Sequence, residues 1–177
     1  MRRILYFSFL LPLAAGCGQR DEAWDAPLEG GPAVGVHAMS GAAALVDVFA
    51  DRVIFASPET ADSLALTQAP IDHGYAASVP TTEGDRLVVL TRGDVPRRRA
   101  DDQGPSLSVL DTKVSPPAVT RYDLADPLSG LAMDPTSEFA LVYPSTADSS
   151  FVQNPNELVL IKLTEPPSSS NPVPTTL

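Results

Sequence analysis

The chain has 177 residues, 44% hydrophobic and 19% charged, which suits one ordinary domain and excludes both a multi-span membrane protein and a charge-rich disordered chain. Its 22 acidic against 12 basic residues give a formal charge of −10, which excludes a general nucleic-acid binder, since that function needs a basic footprint. One cysteine and two histidines exclude an internal disulfide and a Cys-rich zinc site, and leave little for His-based metal chemistry.

From the N-terminus, Arg2 and Arg3 precede an apolar stretch over 4–15, broken by Ser8 and Pro12 and followed by Ala14-Ala15-Gly16-Cys17. Charge, a short apolar core and small residues at a cut are the layout of a secretory signal peptide. The stretch is too short to span a bilayer as a helix, which takes about 20 residues. Leu13-Ala14-Ala15-Gly16-Cys17 resembles the lipobox of bacterial lipoproteins, with Ala14 where that family usually has Leu. The resemblance implies cleavage before Cys17, acylation of its thiol and its new amine, and attachment to a membrane through covalent lipid such as palmitate. It also implies the outer membrane, because Gly18 stands where the family's inner-membrane retention signal has Asp. Loss of residues 1–16 takes the formal charge from −10 to −12, which repels anionic headgroups and leaves the lipid as the only expected membrane contact.

Residues 17–32 are polar, carry Asp21, Glu22, Asp25 and Glu29 among Gly and Pro, and read as a lipidated tether. Residues 33–163 form the expected folded region. Its first part, 33–57, has helix-favouring Ala42-Ala43-Ala44-Leu45 with Ser40 as a potential N-cap, yet Val46, Val48, Val53, Ile54 and Phe55 favour strands, and strands are the expectation. Further short apolar runs follow at 75–79, 86–91, 107–110, 119–124, 130–133, 139–143 and 158–163, separated by turn-forming residues. Leu87-Val88-Val89-Leu90 and Leu158-Val159-Leu160-Ile161 do not alternate, which predicts strands covered on both faces. Residues 164–177 hold four prolines and a serine run and read as a Pro/Ser-rich loop or linker with a strand-like ending, Thr175-Thr176-Leu177.

A repeat explains the double coverage. Pro80-Thr81-Thr82-Glu83 precedes Leu87–Leu90 as Pro135-Thr136-Ser137-Glu138 precedes 139–143, and Leu107-Ser108-Val109-Leu110 matches Leu158-Val159-Leu160-Ile161. The period, roughly 50 residues, is that of propeller blades, which stack through both faces. Leu131-Ala132-Met133-Asp134-Pro135 followed by 139–143 resembles the opening of a YVTN-type β-propeller repeat, with Glu138 where Gly84 sits in the first unit. The resemblance covers about 73–163. The fold expectation is therefore all-β, two to three propeller-like antiparallel blades in an incomplete propeller; the alternative is a β-sandwich.

Chemistry is sparse. There is no nucleophile elbow, P-loop, dinucleotide fingerprint or calcium-loop spacing. Asp72-His73 reads as turn or surface, not a catalytic dyad, and Arg92-Gly93-Asp94 as turn chemistry after a strand. No Asp, Glu or His residues are expected to converge on the inner strands. Residues 93–105 and 144–155 occupy matching places in successive repeats, and insertions at one point of a repeat emerge on one face, often the binding face. They supply the candidate binding residues Arg97, Arg98, Arg99, Asp101, Asp102 and Phe151. Arg97–Arg99 and Asp101–Asp102 should neutralise one another in a solvated loop.

The sequence thus predicts a lipid-anchored, non-enzymatic scaffold or interaction module of the bacterial envelope. It needs no catalytic residue, cofactor or metal, and its partner is a protein or another copy of itself, not nucleic acid. The alternative is a fragment of a propeller enzyme, of lactonase or lyase class, whose catalytic residues lie outside this chain.

Overall fold

β-branched and aliphatic runs pair with their immediate neighbours throughout the computed structural model, which describes residues 35–145, 152, 154, 156–168 and 170–176. The signal-like segment, Cys17, the tether and Phe151 lie outside the described residues. In chain order the strands are β1 (Val36–Met39), β2 (Ala42–Asp47), β3 (Arg52–Thr60), β4 (Ser63–Pro70), β5 (Tyr75–Pro80), β6 (Arg86–Thr91), β7 (Ser106–Asp111), β8 (Ala118–Asp123), β9 (Gly130–Met133), β10 (Phe139–Tyr143), β11 (Glu157–Lys162) and β12 (Val173–Thr176). No helix occurs among the described residues.

The strands form three four-stranded antiparallel sheets, β1–β4, β5–β8 and β9–β12, each ordered as in sequence. The first strands of successive sheets adjoin, β1 beside β5 and β5 beside β9. Successive meanders stacked face to face with their first strands together are propeller-like blades, not the two sheets of a sandwich. The repeat extends further towards the N-terminus than residues 73–163, because Val36–Pro70 builds a complete sheet of its own. Ser40 lies in the turn between β1 and β2 and caps no helix.

Two apolar layers fill the seams. Ala44, Val46, Val53 and Phe55 of the first sheet meet Leu87, Val89 and Leu110 of the second. The second sheet's other face presents Val88, Leu90, Leu107, Val109 and Tyr122 to Ala140, Val142, Val159 and Ile161 of the third. Leu87, Val88, Val89 and Leu90 are all fully buried, as their unbroken apolar run predicts. The run in β11 departs from that expectation. Val159 and Ile161 are buried but Leu160 is 41% exposed, because β9–β12 is the last described sheet and packs through one face only.

Proline sits where a ladder tolerates it. Pro58 lies at the register shift of β3, and Pro70 and Pro174 lie in the outer strands β4 and β12. The described part of 164–177 is more ordered than a linker. Its end is β12, paired with β11, and buried Asn171 ties the connection down. The Asn171 side chain accepts the Lys162 amide at 2.9 Å and donates to the carbonyls of Lys162 at 2.9 Å and Glu165 at 3.1 Å.

Candidate functional site

Turns between second and third strands and connections between sheets meet at one end of the stack. The Ile71 amide donates to the Asp51 carbonyl at 2.8 Å, the Arg92 amide to Gly74 at 2.8 Å and the Gly93 amide to His73 at 2.9 Å. Backbones approach so closely here that a Cβ on Gly93 would lie 2.4 Å from the Gln103 carbonyl, and φ at Gly93 is +66°. Arg92-Gly93-Asp94 is therefore part of the closed base of this loop, as turn chemistry predicts.

Residues 92–105 form a braced hairpin between β6 and β7. Asp94 donates its amide to the Gln103 carbonyl at 3.0 Å and accepts the Gln103 amide at 2.8 Å through its carboxylate. The Asp102 carboxylate accepts the Arg98 amide at 2.5 Å and the Arg99 amide at 2.8 Å. These bonds hold the Asp102 carboxyl below its usual range, with the positive charges of Arg99 and Arg97 adding to them. Backbone donation, more than pairing with guanidinium groups, binds Asp102 into the loop. Arg97, Arg98, Arg99 and Asp101 are exposed at the tip.

Asp72 and His73 sit side by side and serve different partners. The Asp72 carboxylate accepts from Arg121 Nε at 2.6 Å and from the Ser106 hydroxyl. Ser106 in turn meets the buried Thr91 hydroxyl at 2.9 Å. His73 donates its amide to Gln103 Oε1 at 2.7 Å, and its Nδ1 lies 3.1 Å from Asp51 Oδ2. The Asp51 hydrogen bond raises the imidazole pKa, partial burial opposes it, and the charges of Asp51 and Asp94 add to the rise. An open cleft of about 280 Å³ is lined by His73, Gly74, Tyr75, Arg92, Gly93, Asp94 and Val95. A half-exposed imidazole beside a carboxylate can hold a proton, but His73 has no hydroxyl or thiol among its hydrogen-bond partners.

Sequence reasoning missed the inner seam. His37 is on β1, an inner strand, and its Nε2 lies 2.6 Å from Ser78 Oγ on β5. Tyr75 Oη meets the same hydroxyl at 2.8 Å. Partial burial lowers the His37 pKa. The partners are 41 residues apart, so only the stacking of β1 on β5 could reveal them.

At the opposite end, the turns between first and second strands link the sheets. The Ser40 amide donates to the Gly84 carbonyl at 2.7 Å, the Thr82 amide to Ser137 Oγ at 2.8 Å and the Thr82 hydroxyl to the Pro135 carbonyl at 2.8 Å. A polar cleft of about 290 Å³ opens there, lined by Thr81, Glu83, Asp85, Arg86, Asp111, Lys113, Thr136 and Ser137. Lys113 Nζ lies 2.5 Å from Asp85 Oδ2 and closes one side; this bond leads the lowering of the Asp85 pKa. No group of three or more His, Cys, Asp or Glu among the described residues is placed to hold a metal.

No family model matches the chain, and no curated protein matches it. Among solved structures it is similar to a functionally unknown protein of Desulfotomaculum acetoxidans DSM 771, at 17% identity over 76% of this chain and 38% of that one, with a TM-score of 0.51. A candidate 6-phosphogluconolactonase of Bacteroides fragilis NCTC 9343 aligns at 12% identity over 81% of this chain and 37% of its own, TM-score 0.48. The hydrazine synthase of Kuenenia stuttgartiensis aligns at 13% over 72% and 47%, TM-score 0.38. The first of these likenesses is one of fold. The aligned stretch spans less than two fifths of the length of the first two proteins.

Proposed function

We propose that this chain is a lipid-anchored, non-enzymatic interaction module of the bacterial envelope, tethered to the outer membrane through Cys17 and working through the open faces of its propeller-like stack. The observation that carries this reading is the outward face of the first sheet. Val36, Leu64 and Leu66 are 63%, 64% and 67% exposed there, beside half-buried Leu45 and Ile54. An apolar face extending over four strands marks a surface made to be covered. The braced loop with Arg97, Arg98 and Arg99 at its tip, and the masked-charge character of its Asp102, make it a secondary contact region for an anionic partner.

The anchor follows from the N-terminal layout and from simple transfer energetics. Each buried CH₂ contributes about 0.8 kcal/mol, so two or three acyl chains hold a polar domain at a membrane where one would bind only marginally. Radiolabelled palmitate should enter the wild-type protein in bacterial cells, and Cys17→Ser should abolish the labelling. Equal labelling of the two would overturn the anchor.

A further inference from the structure

The described sheets leave two faces uncovered, one at each end of the stack. On the first sheet, strand alternation places Val36, Ala43, Leu45, Ile54, Ala56, Leu64 and Leu66 on the side away from the second sheet. On the third, the same alternation places Leu141, Leu158, Leu160 and Val173 on the side away from it, with Leu160 41% and Val173 46% exposed. We propose that these two faces are the halves of one seam: the first sheet of one copy stacks on the third sheet of a second copy, head to tail. This rests on the reading of the chain as an interaction module and specifies its partner.

Three observations favour a copy of this chain over another occupant. Inside the chain, each seam joins two twisted sheet faces built from aliphatic and aromatic side chains. Ala44, Val46 and Val53 meet Leu87 and Leu110, and Val88, Leu90 and Tyr122 meet Ala140 and Val142. The open faces carry the same kinds of side chain, with Val36, Leu45, Ile54, Leu64 and Leu66 beside Ala43 and Ala56 on one and Leu141, Leu158 and Leu160 on the other, so the new seam continues an interface the fold already makes. Their rims also carry charges that are already paired. Arg52 Nε lies 3.1 Å from Asp47 Oδ2, and Arg52 Nη1 donates to Gln68 Oε1 at 3.2 Å; on the third sheet, Lys162 Nζ lies 2.5 Å from Glu165 Oε1. Stacking would therefore leave none of Asp47, Arg52, Lys162 and Glu165 a lone buried charge. Finally, a head-to-tail contact must close or grow into a filament, and two copies supply six sheets, within the range of about four to eight found in closed propellers.

The test uses the full chain in detergent on a Cys17→Ser background, which removes the only native thiol. Leu66→Cys protein is mixed with Val173→Cys protein and treated with a short bismaleimide; both residues sit on the fourth strand of their sheet, and fourth strands stack beside one another in the chain's own seam, β4 beside β8. A cross-linked heterodimer should form, and neither variant should cross-link to itself. Native mass spectrometry should show dimers that Leu66→Asp weakens at least tenfold while the melting temperature of the dilute protein is unchanged. Because both copies are acidic, higher salt should strengthen the dimer. Monomers at every concentration would overturn the proposal, whether another part of the chain or a foreign protein covers the faces. Cross-linking of Leu66→Cys to itself would overturn the head-to-tail arrangement. Neither result touches the Cys17 labelling, so failure of the anchor and failure of the stacking are told apart.

Discussion

The imidazole of His73 is tuned by Asp51, a residue 22 positions earlier that the fold brings to 3.1 Å. Its pKa is raised above 6.5, so the stabilisation from this pair is present below pH 6.5 and is lost as pH rises through the higher folded value. With the His73 side chain 57% exposed, solvent screening keeps the contribution small. Asp51→Asn should bring the His73 titration, followed by the chemical shifts of its ring protons, back towards 6.5. An unchanged titration would mean that Asp51 does not set it. Asp72, next in the chain and read from the sequence as no dyad partner, is engaged with Arg121 and Ser106. Partners such as Asp51–His73 and His37–Ser78 are set by which turns and strands meet, which residue spacing does not encode. The candidate binding loop was legible because its length and its arginine run interrupt two apolar strands. The amides that hold its Asp102 were not.

At the scale of elements, the turn before β10 is offset by one residue from the pairing of Glu138 with Gly84, while the match of Leu107–Leu110 with 158–161 holds in register. Gly84 and Ser137 both have left-handed backbones, φ +69° and +57°, and both donate their amides three residues back, to Thr81 and Asp134. Ser137, not Glu138, therefore stands at the glycine position of the YVTN-type turn. Serine is tolerated because its hydroxyl accepts the Thr82 amide of the neighbouring sheet. Ser137→Ala keeps the strained backbone and loses that bond, at a cost of about 1–2 kcal/mol. Ser137→Gly loses the bond but relieves the strain, and should be about 1 kcal/mol more stable than the alanine variant in urea unfolding. Equal stabilities would show that the turn carries no strain. The strands with unbroken apolar runs were readable from sequence at their observed places. β4 was not, because its inward positions are the small Ser63, Ala65, Thr67 and Ala69 while Leu64 and Leu66 look outward. β12 was partly hidden, since prolines mark the connection that leads into it.

For the whole molecule, two similar runs of sequence lead to different burdens. Leu90 is fully buried between two sheets, and Leu160 lies on an end face. In dilute protein, Leu90→Ala should cost about 2–5 kcal/mol and Leu160→Ala less than about 1 kcal/mol, read from urea midpoints. A comparable loss at both positions would mean that the end face is covered within one chain. The sequence made both runs look interior, since an apolar strand announces that it wants covering without saying what covers it. The strict neighbour-to-neighbour pairing of the strands also gives the molecule a history. β4 ends at Pro70, so the first sheet can complete its ladder as soon as that residue is available, whereas the strands that bury its inner face finish only at Asp123. At about 5–20 residues per second of synthesis, the gap amounts to several seconds in which Val53 and Phe55 are as bare as Leu64 and Leu66. A chain that folds in order from its N-terminus therefore passes through an interval in which its first sheet is apolar on both sides and still waits for its own second sheet.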